Sequence, residues 1–109
     1  MAPRAAEARG RGPEAETVRR LRVMRYDPAW RARYGKPNFF GIARLSGLFP
    51  HRLYTTIILR GQLGPEANGR LGPLVEAVFE GRSRVVGRGP DGYRIIGEPI
   101  GTIWFQDRK

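Results

Sequence analysis

Between Leu71 and Phe79 the apolar side chains Leu71, Leu74, Val75, Val78 and Phe79 fall at i, i+3, i+4, i+7 and i+8, the spacing that lays one apolar stripe along a helix. Such a stripe is stable only when other elements cover it, so the chain must build a core around this segment. Pro73 fits only the first turn of a helix and Gly81 is a natural stop, which predicts a core helix near residues 73–80. Its opposite face carries Glu76 and Glu80, so this helix is not expected to meet an acidic partner.

The segments that would cover the stripe read mostly as strands. From Thr17 to about Tyr26 apolar and polar residues alternate, blurred by arginines. Phe39–Leu45 and LYTTIILR at Leu53–Arg60 follow, the latter dense in β-branched residues, with the loop SGLFPH between them. Asp27-Pro28 reads as a cap followed by proline at the first helical position, and Gly35 as a helix stop, which predicts a short helix over 28–34 with Trp30 and Tyr34 on one face. SRVV, YRII and TIWF are expected to form a terminal meander around the turns GRGPDG and GEPIG. The expected class is α+β, a small curved antiparallel β-sheet or an OB-like barrel, with a split βαβ sandwich as the alternative. Residues 1–16 lack bulky apolar groups beyond Met1 and are expected to be a flexible tail, leaving 17–109 as a single basic domain. The RGRG within that tail reads as linker before RNA ligand.

A chain of 109 residues with 40% hydrophobic residues has enough apolar surface for one core. Without cysteine and with one histidine, disulfides, thiolate chemistry and N/S zinc clusters are excluded. No apolar run approaches a membrane span, and the first twenty residues lack the apolar centre of a secretory signal, so the expectation is a cytoplasmic protein without membrane contact. No small-molecule cofactor or metal is expected.

The charge is more telling than the composition. Net charge is +10, and its distribution is lopsided. Residues 1–16 balance three arginines with three glutamates, and 61–109 carry seven basic against six acidic residues. Residues 17–60 hold nine arginines and Lys36 against Asp27 alone. G- and C-rich codons would account for arginine over lysine, but not for the absence of acids from one stretch. Basic residues gathered in sequence, with aromatics between them, suit a polyanion: arginines neutralise phosphates and aromatic rings stack on bases. The candidate nucleic-acid-binding residues are Arg22, Arg25, Tyr26, Arg31, Arg33, Tyr34, Lys36, Arg44, Arg52 and Tyr54. Phe39 and Phe40 are further stacking candidates, while Trp30 and Trp104 are expected to be buried. The partner class is single-stranded nucleic acid, DNA or RNA, or structured RNA, read largely by charge and shape.

Two other classes compete. A structural or adaptor subunit of a ribonucleoprotein or phage assembly would carry similar basic residues and would have a protein partner. A metal-independent ribonuclease could use His51 to move a proton, with Arg44 or Arg52 on the charged phosphorane; Ser46 and His51 form the sole Ser-His combination within one loop. A non-enzyme is expected, because one loop histidine is a thin basis for catalysis. GRGPDG lacks the GK[ST] ending of a phosphate loop and precedes a strand, so it reads as a hairpin turn.

Overall fold

The computed structural model describes residues 12–87 and 92–97. Its first element, helix α1, spans Pro13–Tyr26, where the alternation of Thr17 to Tyr26 predicts a strand. The burial of Thr17, Val18, Leu21 and Met24 explains the difference, since these positions recur every three to four residues and form one helical face. Pro13 opens the helix, Glu14 and Glu16 lie in its first turn and Arg25 in its last, each suited to the helix dipole. The helix thus begins inside the segment expected to be tail.

Helix α2, Pro28–Tyr34, forms where the Asp27-Pro28 signal places it, with the Asp27 carboxylate accepting from the Ala29 N–H at 2.9 Å. Trp30 is buried as expected. Its indole N–H donates to the Phe79 carbonyl at 3.0 Å, and its ring lies against Tyr34 and Phe79.

Helix α3, Phe39–Leu45, replaces the second expected strand. Asn38 supplies the decisive local signal: its side chain accepts from the Gly41 N–H at 2.9 Å and donates to the Gly87 carbonyl at 3.1 Å. That bond starts the helix and ties it to the sheet. Helix α4 replaces the third expected strand. It begins as an α-turn at Pro50–Arg52 and continues as a π-helical segment, Leu53–Leu59. The β-branched run favours a strand by propensity, yet burial overrides it. A π-helical turn closes from i to i+5, which carries Ile58 round to the side of Leu53, so that Leu53, Ile57 and Ile58 all reach the core.

Helix α5, Pro65–Phe79, contains the predicted apolar stripe but starts well before it. Pro73 sits inside the helix on the exposed side. An internal proline costs about 3 kcal/mol, and the full burial of Leu71, Leu74 and Val75 offsets it. α5 packs mainly along α1, and the two approach closely at Gly72, where a Cβ would lie 3.3 Å from Thr17 Oγ1 and 3.0 Å from Asn68 Oδ1. Thr17 also donates to the Asn68 side chain.

Strands β1 (Ser83–Gly87) and β2 (Tyr93–Gly97) pair antiparallel with Val85 opposite Ile95, confirming SRVV and YRII as strands. Both of those residues are buried, and the sheet packs on α3. The molecule is therefore α+β, with a two-stranded antiparallel sheet among the described residues. Three of the segments that an OB-like barrel or a split βαβ sandwich would need as strands, Thr17–Tyr26, Phe39–Leu45 and Leu53–Arg60, are largely helical. TIWF and Trp104 lie outside the described residues. No helix among those described is long and apolar enough to cross a membrane.

Candidate nucleic-acid interface

The arginines of residues 17–60 divide by what holds them. Arg19 and Arg20 converge on Glu16, Arg19 through a close hydrogen-bonded pair and Arg20 through its Nε at 3.4 Å. The Arg19 hydrogen bond holds the Glu16 carboxyl below the usual carboxylate range, and the same bond raises Arg19. Arg22 serves the fold: its Nε donates to the Ile58 carbonyl at 2.8 Å and its Nη2 to the Leu59 carbonyl at 3.3 Å. Arg31 does the same for the end of α1, its Nη1 donating to the carbonyls of Met24 and Arg25 at 3.0 and 3.1 Å. Cations on helix carboxyl ends are favourable because the last carbonyls have no partner in their own helix.

Arg25 lies over two rings, 5.8 Å from the centre of Tyr26 and 5.2 Å from that of Tyr54. Arg33 lies 5.4 Å from the centre of the Tyr34 ring. Lys36, Arg44, Arg52 and Arg60 are exposed. Residues 28–60 contain no carboxylate at all, and the other ion pairs join Arg70 to Glu66 and Arg82 to Glu80. Among the described residues, no basic side chain from Arg22 to Arg60 is matched by an acid.

The aromatics fare differently. Phe39 is buried and meets Tyr54 edge-on, with ring centres 5.8 Å apart. Tyr34 lies against Trp30 and Gly81 on one side and is 37% exposed on the other. Tyr26, at 61% exposure, and Phe40 remain available for stacking.

The structure thus brings Arg22, Arg25, Tyr26, Arg31 and Tyr54 to one seam, where the end of α1 meets α4. Arg33 and Tyr34 belong to the Trp30 cluster. Lys36, Arg44 and Arg52 stand on the α2–α3 connection, on α3 and on α4. Beside the seam lies an open groove of about 1270 Å³ whose walls carry Arg19, Arg22, Tyr26 and Arg60 together with the acids Glu14 and Asp27. Arg60 is not among the candidate residues read from the sequence. His51 is exposed on α4 whereas Ser46 is 1% exposed, so the two are not presented to a common surface.

The connection between α3 and α4 has well-defined geometry. The Leu48 N–H donates to the Ala43 carbonyl at 2.8 Å and the Gly47 N–H to the Arg44 carbonyl at 3.0 Å, a Schellman end to α3. Gly47 adopts φ 74°, which glycine supplies at little cost, and Leu48 is buried beneath the turn. Arg70 of α5 locks this turn from outside, its Nε donating to the Ser46 carbonyl at 3.0 Å. Ser46, Gly47, Leu48 and Phe49 are therefore a fixed turn between two helices, where the sequence SGLFPH suggested a wide loop.

A scan against protein-family models and searches of curated proteins and of solved structures each return no match.

Proposed function

We propose that this protein is a nucleic-acid-binding domain that acts through its basic front half and performs no catalysis. The observation that carries this reading is the unmatched charge: among the described residues, the basic side chains from Arg22 to Arg60 have no carboxylate partners. A surface left positive in this way is costly to the folded state through self-repulsion unless a partner uses it. Phosphates do so by releasing condensed counterions. Arg22 and Arg31 are held on helix ends, so the phosphate contacts fall to Arg25, Arg33, Lys36, Arg44 and Arg60, with Arg52 exposed on α4 and Tyr26 available for stacking.

Fluorescence anisotropy across a salt series, with single-stranded DNA, duplex DNA and RNA as probes, tests the reading. Binding should weaken steeply as salt rises, with a slope that counts the phosphates contacted. Arg33→Glu with Arg44→Glu should lower the slope and the affinity together while the thermal transition stays in place. A protein that binds none of the probes at low salt, or binds with no salt dependence, would defeat it.

A further inference from the structure

We infer that the nucleic acid is duplex DNA, and that α3, the turn Ser46–Phe49 and α4 form a helix-turn-helix whose second helix enters the major groove. The inference rests on the nucleic-acid reading above and specifies its substrate.

A three- or four-residue turn containing glycine is the connection this motif uses between its helices, and Gly47 with its Schellman bonds supplies it. The division of burial assigns the roles. α3 is the embedded helix: Phe39, Gly41, Ile42 and Ala43 are buried, and a Cβ on Gly41 would meet Val85 and Tyr93 of the sheet. α4 packs through Pro50, Leu53, Ile57 and Ile58 and turns its second and third residues, His51 and Arg52, outward. Thr55 follows one turn later, its hydroxyl resting on the His51 carbonyl at 2.8 Å. The amino-terminal residues of the second helix are those that reach base edges in this arrangement.

The size of the element selects the substrate. An α-helix with side chains is about 10–12 Å across, a dimension that applies to the leading turn of α4, Pro50–Arg52, and the major groove of B-DNA is about 12 Å wide, whereas the major groove of an RNA helix is too narrow to read. A single-strand reader needs successive rings on a platform, but here Phe39 is buried, Tyr34 is packed on Trp30 and Tyr54 lies under Arg25, while the exposed Tyr26, Phe40 and Phe49 are divided among α1, α3 and the turn before α4. The chemistry on α4 also suits base edges. Arginine pairs with the O6 and N7 of guanine, and the Thr55 hydroxyl, its proton given to the His51 carbonyl, is left to accept from a base amino group. Arg44, at the end of α3, is left for the phosphate backbone.

The test is selection from a duplex library with a random core, followed by anisotropy on the enriched duplex, a scrambled duplex, each separated strand and the same sequence as duplex RNA. The full chain is used, with Arg52→Ala and Arg44→Ala as variants; both side chains are exposed, and circular dichroism verifies the fold. Wild-type protein should enrich a motif and prefer that duplex over every other probe by about a hundredfold or more. Arg52→Ala should lose about tenfold on the enriched duplex and little on the scrambled one, whereas Arg44→Ala should weaken both alike. Preference for single strands or RNA, no enriched motif, or an equal loss on both duplexes from Arg52→Ala would overturn the inference while leaving the nucleic-acid reading intact. Failure to bind any probe at low salt would remove the reading beneath it.

Discussion

Arg22 Nε donates to the carbonyl of Ile58 at 2.8 Å, joining the middle of α1 to the end of α4. The contact places a cation on a helix terminus, and Nη2 extends it to Leu59 at 3.3 Å. Replacing Arg22 by methionine keeps the apolar stem and removes both donors. Hydrogen bonds from charged groups are worth about 1.5–3 kcal/mol, and partial exposure reduces that, so Arg22→Met should destabilise the fold by about 1–2 kcal/mol. Urea denaturation measures it, and an unchanged midpoint would show that water replaces the guanidinium at no cost.

Arg31 and Arg33 separate structure from recognition within a single short helix. Arg31 holds the Met24 and Arg25 carbonyls, and Arg31→Glu sets a carboxylate against them at the negative end of α1. The loss should be about 2 kcal/mol or more, from the two hydrogen bonds and the reversed dipole interaction. Arg33 touches only the Tyr34 ring among described partners, an exposed cation–π contact worth about 0.5–1 kcal/mol. Arg33→Glu should therefore leave the thermal midpoint within a few degrees while shifting the salt dependence of binding. Equal destabilisation by both reversals would contradict this division.

These contrasts show what the sequence could reveal. The stripe at Leu71–Phe79, the Asp27-Pro28 cap and the SRVV and YRII strands are local signals, and each appears in the fold. The failures share one cause. In Thr17–Tyr26, Phe39–Leu45 and Leu53–Arg60, β-branched, aromatic and alternating residues outvote weaker helical cues when the segment is read alone. Val18, Leu21 and Met24 at three-residue spacing, Pro13 ahead of Glu14, and Asn38 three residues before Gly41 were visible as helix signals. The π-helical winding was not, because it depends on which residues the surrounding core will accept. The same holds for the site: the excess of positive charge is legible in the chain, but which arginines cap helix ends depends on tertiary placement.

Gly41 sets two effects of known size against each other. Alanine is favoured over glycine in a helix by about 0.8–1.0 kcal/mol. A Cβ at this position would lie 2.5 Å from Val85 Cγ1 and 2.7 Å from Tyr93 Cδ1. Val85 is buried and a valine methyl has no flexible end to swing aside, so the sheet must move, at about 1–3 kcal/mol. Gly41→Ala should be destabilising by about 1 kcal/mol on balance. Stabilisation in a thermal melt would mean that α3 and the hairpin are not in contact as described.

Glu16 gives the fold a specific acid dependence. Its carboxyl is held below the usual range chiefly by the Arg19 hydrogen bond, opposed by desolvation and assisted by the charges of Arg19 and Arg20. The folded state therefore favours the ionised form more than the unfolded chain does. The resulting stability is fully present above the ordinary carboxylate range and is lost as pH falls through the lowered folded value. The Glu16 side chain is 40% exposed, and an exposed pair of this spacing is worth about 0.3–0.5 kcal/mol. Glu16→Gln should be less stable than wild type by about that amount near neutrality, and the difference should close in acid, once both side chains are neutral. Chemical denaturation of the two proteins along a pH series measures it. A difference that persisted in strong acid would assign the effect to packing of the side chain and not to its charge.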